Sequence, residues 1–271
     1  MRYLGHAGQE VAPELEERIA AGIALAERTC EPRWLWRVFE VVDAAGAAAL
    51  PQSGKAAIAC VPDDAPRAGT APDAPAVRLA GTSLELPGRD IADFLCGAVR
   101  VALLACTLGA PADRELRRLG LADPLGQLVF DAACTDLVEW GADQACAEIA
   151  AEAASLGLKM GEQFSPGYGD LPIDVQPDFL DVLHAGKRLG LTASASSLLV
   201  PTKSVTCIVG LYPAEPPAGM HLGCGACNIW ANCQLRLRST PCWKRAARDD
   251  VPDTPLHEHA APVGSSPGSP A

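Results

Sequence analysis

Residues 163 to 172 read Gln-Phe-Ser-Pro-Gly-Tyr-Gly-Asp-Leu-Pro, a stretch whose residue types could handle a small planar ligand. Pro166 restricts Ser165 to an extended backbone, while Gly167 and Gly169 let the main chain approach a ligand with no Cβ in the way. Tyr168 is held between the two glycines. Such a loop can offer backbone N–H and C=O groups along one edge of a planar molecule. The same spacing of Pro, Gly and an aromatic also occurs in turns that bind nothing.

A second group of residues that could do chemistry is Cys224, Cys227, Cys233 and Cys242. The first two form a C-x-x-C, and two nearby thiolates on a Gly-rich knuckle are good soft-metal ligands, with a cytosolic setting favouring metal over disulfide. Zinc held by four thiolates, an iron–sulfur cluster and no metal at all are each compatible with the spacing. His221 is a further candidate ligand, though a lone His before a Gly is more often a surface residue. The remaining cysteines, among them Cys96, Cys106, Cys134 and Cys146, sit singly in apolar patterns and read as small buried hydrophobes.

The candidate loop lies between two helices. Upstream, Asp123 and Pro124 make an N-cap and first-turn pair for a long helix, with Leu125, Leu128, Val129, Ala132 and Ile149 available for packing and Gly157 as its terminator. Downstream, a helix is expected from about Gln176 to Leu189, stopped by Gly190. The segment Lys159 to Leu171 itself reads as irregular.

Elsewhere the pattern predicts a helix from Val11 to about Thr29 with Pro13 in its first turn, and a strand from Trp34 to Val42. Asp43 to Ala76 is mostly loop, with at most one short strand around Ala56 to Val61. Asp90 can cap a short helix through Cys96, Val99 to Cys106 suits a buried strand, and Ala112 to Leu119 forms a further short helix. Leu198 to Val200 and Ser204 to Leu211 read as the strands of an antiparallel pair. Helices and strands mix without regular βαβ alternation, so the fold class is α+β rather than doubly wound. The domain plan is a main domain at 1–212, a linker at 213–222, a small Cys-rich module at 223–243 and a tail at 244–271 with the composition of disorder.

With 271 residues and 49% hydrophobic content, the chain can bury one sizeable core plus a small satellite. The formal net charge is −11, and no Lys/Arg cluster could track a phosphate backbone, which argues against nucleic acid as a partner. The longest apolar run, Val101 to Ala110, is too short to cross a bilayer, and the first residues lack the apolar stretch of a secretion signal. No membrane role and a cytoplasmic location are the expectation.

The segment Gln163 to Pro172 resembles the Arg-x-x-x-Gly-Tyr-x-x-x-Pro motif of the activation domain of cobalamin (vitamin B12)-dependent methionine synthase. Four further pieces are similar to the free-standing form of that family: RYLGHAGQE at Arg2 to Glu10, LPGRDIADFLCGAVRVALLACTLGAPADRELRR at Leu86 to Arg118, LGLTASASSLLVPTKSVTCIVGL at Leu189 to Leu211, and the late cysteine cluster. The resemblance spans about Arg2 to Arg236.

This resemblance implies an activation subunit, active only with its partner, in which oxidised Co(II) cobalamin is reduced by one electron and methylated by S-adenosylmethionine. It implies that Ser165, Pro166 and Gly167 contact S-adenosylmethionine and that Tyr168 lies close to the corrin. The implied partners are a cobalamin-binding methionine synthase protein and a one-electron donor such as flavodoxin or ferredoxin. The family's Arg falls at Gln163, a neutral hydrogen-bond donor in place of a fixed positive charge. Its Thr-Glu-Ser reads Thr192, Ala193, Ser194. These departures support a rival reading, a metal-binding adaptor that has lost methyl transfer; a third reading is a reactivator of another corrinoid methyltransferase, with a cluster at the C-terminal cysteines feeding the electron.

Overall fold

The computed structural model describes residues 2–4, 10–42, 57–58 and 75–216. The expected cysteine module with Cys224, Cys227, Cys233 and Cys242, the tail, and most of the expected 56–61 strand lie outside the described residues.

Eight strands are present among them: β1 (Arg33–Val42), β2 (Ala76–Leu79), β3 (Glu85–Pro87), β4 (Arg100–Thr107), β5 (Lys159–Phe164), β6 (Thr192–Ala193), β7 (Leu199–Val200) and β8 (Ser204–Tyr212). Six form one sheet in the order β3-β2-β1-β4-β8-β5, with every neighbouring pair antiparallel, while β6 and β7 pair separately. Pairing of β1 with β4 runs unbroken from Arg33 opposite Thr107 to Glu40 opposite Arg100.

The sheet is covered on both faces. On one, Leu35 and Phe39 of β1, Leu103 of β4 and Ile208 of β8 pack with helices α2 (Arg89–Phe94), α5 (Gln176–Leu183) and α6 (Ala185–Leu189). On the other, Leu104, Cys106, Cys207 and Val209 pack with α1 (Pro13–Thr29), α3 (Ala110–Ala122) and α4 (Pro124–Ser155). Two covered faces are why the run from Val101 to Cys106 is apolar without alternation: successive side chains enter opposite cores, and all are buried.

Helix α4 is 32 residues long, so it extends about 48 Å. Asp123 caps it by accepting from the Gly126 N–H at 3.0 Å and also pairs with Arg18 of α1. Glycines set how closely it can lie. A Cβ on Gly141 would stand 2.8 Å from both Cys106 Sγ and Pro32 Cβ, and one on Gly22 of α1 would stand 2.4 Å from Val129 Cγ1. Gly157, at φ +68°, follows its end as expected.

Several expectations need correction. Lys159–Phe164 is a strand, because its backbone is paired by β8 despite its polar sequence. The helix expected over Gln176 to Leu189 is two, broken where His184 takes a left-handed backbone at φ 55°. Strand β7 pairs with β6, and β8 with β4 and β5. Leu125 and Leu128 are 42% and 57% exposed, since α1 meets the neighbouring face of α4 at Val129 and Phe130. Cys106, Cys134 and Cys146 are buried free thiols, but Cys96 is disulfide-bonded.

Candidate functional site

The loop Ser165 to Pro172 leaves the sheet from the end of β5, one of the sheet's two edge strands among the described residues. Near its exit β5 carries a bulge. Met160 faces Leu211, yet Gln163 faces Val209, so β5 uses three steps where β8 uses two. Strict alternation would turn Glu162 to the Met160 face, whereas the extra residue turns Gln163 there instead. Gly161 sits in the bulge, where a Cβ would stand 2.7 Å from the Tyr212 ring.

Gln163 therefore meets β8 on the α4 side, where the Cys207 thiol donates to Gln163 Oε1 at 3.4 Å. Burial pushes the Cys207 pKa up, the negative charges of neighbouring groups add to this, and a hydrogen bond with the Ser165 side chain offsets part of it. Cys207 thus stays a protonated donor at neutral pH. Gln163 and Ser165 are brought together around this one sulfur.

Phe164, the next residue, points to the opposite face. Its ring lies 5.0 Å from that of Phe94 and 6.3 Å from that of Tyr168, centre to centre. Tyr168 is 60% exposed, so one edge of its ring is supported by Phe164 while most of it faces outward. The candidate residues straddle the sheet edge, with Gln163 and Ser165 on one side and Tyr168 on the other.

The loop is closed by its own backbone. Gly167 N–H donates to Leu171 O at 2.9 Å, Tyr168 N–H to Ser165 O at 3.0 Å, and Leu171 N–H to Tyr168 O at 3.0 Å. Gly167 has φ +89° and Gly169 φ +54°, both disfavoured for residues with a Cβ. Pro166 is buried beneath the turn. Downstream, buried Gln176 donates to Thr206 Oγ1 at 2.8 Å and ties the start of α5 to β8.

The sequence reading missed what holds this loop from outside. Asp170 Oδ2 accepts from the Arg89 N–H and Asp170 Oδ1 from the Asp90 N–H, each at 2.9 Å. Asp90, expected as the cap of α2, instead lies in its first turn, with Gly88 at the cap position and no cap from Gly88 itself. The only local hint was an Asp two residues after the Gly-Tyr pair. Tyr212 ties β8 to the end of α2, its hydroxyl donating to Phe94 O at 2.9 Å, and burial pushes its pKa up to about 12.

Among the described residues no group of three or more His, Cys, Asp or Glu converges as metal ligands, and no helix is long and apolar enough to cross a membrane. No family model and no curated relative matches the chain. Among solved structures, it is similar to the MetH reactivation domain in a crystal structure with AdoHcy bound, at 16% identity and a TM-score of 0.53. That match covers 81% of this chain and 74% of the other. At this identity the likeness is one of fold: an antiparallel sheet with helices, in the α+β arrangement of the reactivation domain.

Proposed function

We propose that the chain is an activation subunit that binds S-adenosylmethionine at Gln163 to Tyr168 and presents it to cobalamin on a partner methionine synthase protein. The observation that carries this reading is the shared fold: the MetH reactivation domain was solved with AdoHcy, the form of S-adenosylmethionine that has lost its methyl group. The motif Gly-Tyr-x-x-x-Pro in the exposed loop adds to it.

The residues present fit such a ligand. Gln163, its oxygen engaged by Cys207, has an amide N–H₂ to offer a ligand carboxylate, and Gly167 keeps a side chain out of the loop. Tyr168 supplies an outward aromatic surface for a flat macrocycle. The bound ligand would supply an activated methyl group. The chain's own contribution is to hold it in line and keep water away. The partner supplies the cobalamin, and a flavodoxin- or ferredoxin-type donor supplies the single electron.

The test mixes the chain, a partner loaded with Co(II) cobalamin, a reductant and S-adenosylmethionine, and follows the corrin absorption bands. Methylcobalamin should accumulate only in the complete mixture, and Tyr168→Ala should slow it greatly. Equal rates with and without the chain would rule the function out.

A further inference from the structure

We infer that Asp170 is a positioning residue: it clamps the loop bearing Gly167 and Tyr168 onto the first turn of α2, and so sets the geometry in which that loop meets its ligand. The part concerning the ligand rests on the function proposed above. The clamp itself rests on contacts within the chain.

Both carboxylate oxygens of Asp170 are used, one on the Arg89 N–H and one on the Asp90 N–H, across 81 and 80 residues of sequence. Those two N–H groups start a helix and have no partner within it, and a carboxylate is the acceptor best matched to them. The fit has little slack on either side. A Cβ on Gly88, whose φ is +136°, would stand 2.4 Å from Asp170 Oδ1, and a Cβ on Gly169 would stand 2.5 Å from Asp90 Oδ2. Each segment thus carries a glycine where the other's aspartate passes.

The clamp acts at the right place to matter. Asp170 is two residues from Tyr168 and is followed by Leu171, which is buried and closes the loop by accepting from the Gly167 N–H. Below, Phe164 and Phe94 pack against each other, so α2 and the root of the loop share one apolar floor. Asp170 contributes two hydrogen bonds between the loop's outer part and α2. The outer turn also keeps its own backbone bonds and the buried Leu171.

The experiment compares the full chain with Asp170→Ala and Asp170→Asn. Hydrogen exchange of backbone amides and calorimetric binding of S-adenosylhomocysteine are measured on each. In Asp170→Ala the amides of Arg89, Asp90, Tyr168 and Leu171 should exchange roughly five- to tenfold faster, and ligand affinity should fall by a similar factor. Amides of β4 and β8 should not change. Asp170→Asn, whose side-chain oxygen can still accept from one N–H, should fall between the two and serves if the Ala variant fails to fold. Unchanged exchange in the loop would overturn the inference, as would equal acceleration throughout β4 and β8, which marks a general loss of stability. If the unaltered chain takes up no ligand, the proposed function fails while the exchange measurements still decide the clamp.

Discussion

The Cys207 thiol donates to Gln163 Oε1 at 3.4 Å, and this contact determines which end of the amide looks outward. Raised by burial, the thiol keeps its proton across the neutral range, so the amide oxygen remains occupied and the N–H₂ group remains available. Gln163→Arg would place a fixed charge at that position. It should tighten S-adenosylmethionine binding by about 1 kcal/mol, roughly fivefold, if a ligand carboxylate sits there. Titration calorimetry reads this directly, and an unchanged affinity would put the carboxylate elsewhere.

Gly167 is sensitive for a conformational reason rather than a lack of room. A Cβ there would meet only Ile173, at an ordinary 3.8 Å, but φ is +89°. Forcing a β-branched residue into that region costs roughly 1–2 kcal/mol or more, and the loop will relax instead. Gly167→Val should therefore weaken ligand binding at least several-fold with little change in melting temperature. A variant that binds as tightly as the parent would show that the turn does not shape the site.

Gly141 tests the contact between α4 and the sheet. Alanine favours a helix by about 1 kcal/mol, but here its Cβ would press on buried Cys106 Sγ and on Pro32 Cβ, both at 2.8 Å. Overpacking of this kind costs typically about 1–3 kcal/mol, which outweighs the propensity gain. Gly141→Ala should lower Tm by several degrees in calorimetry. A higher Tm would mean that α4 can lift away from β4 at no cost.

Tyr212 gives the chain an alkaline limit. Its hydroxyl is buried and its pKa is raised from 10.0 to about 12, so above the lower value the unfolded chain loses the proton while the folded one keeps it. That contribution to stability is complete below pH 10.0 and disappears as pH rises to about 12. Tyr212→Phe should remove this component from the pH profile of urea unfolding, at the cost of the hydrogen bond to Phe94 O. A profile with the same alkaline slope in both proteins would assign the effect to other groups.

Much of the scaffold could be read along the chain, because the determinants lie within a few residues of the features they control. Asp123 caps the helix that Pro124 begins, Gly157 and Gly190 terminate helices from just beyond them, and the unbroken apolar run into Cys106 marks a strand covered on both faces. The Pro166, Gly167 and Gly169 turn belongs to the same class. Its two glycines have positive φ, although the element before it is the strand β5 and not the expected helix.

Only the tertiary structure decided the rest. Lys159–Phe164 has no strand pattern of its own and becomes one because β8, more than forty residues later, supplies its hydrogen bonds. The bulge that turns Gln163 rather than Glu162 toward Cys207 exists only in that pairing. Leu125 and Leu128 looked like core on α4, but the position of α1 assigned the core to their neighbours. Asp170 looked like a loop residue and is the cap of a helix 81 residues earlier. Local preference reaches about one turn of helix or one loop. Strand partners, helix faces and borrowed caps are set by which distant groups share the same buried space, and no short window of sequence carries that.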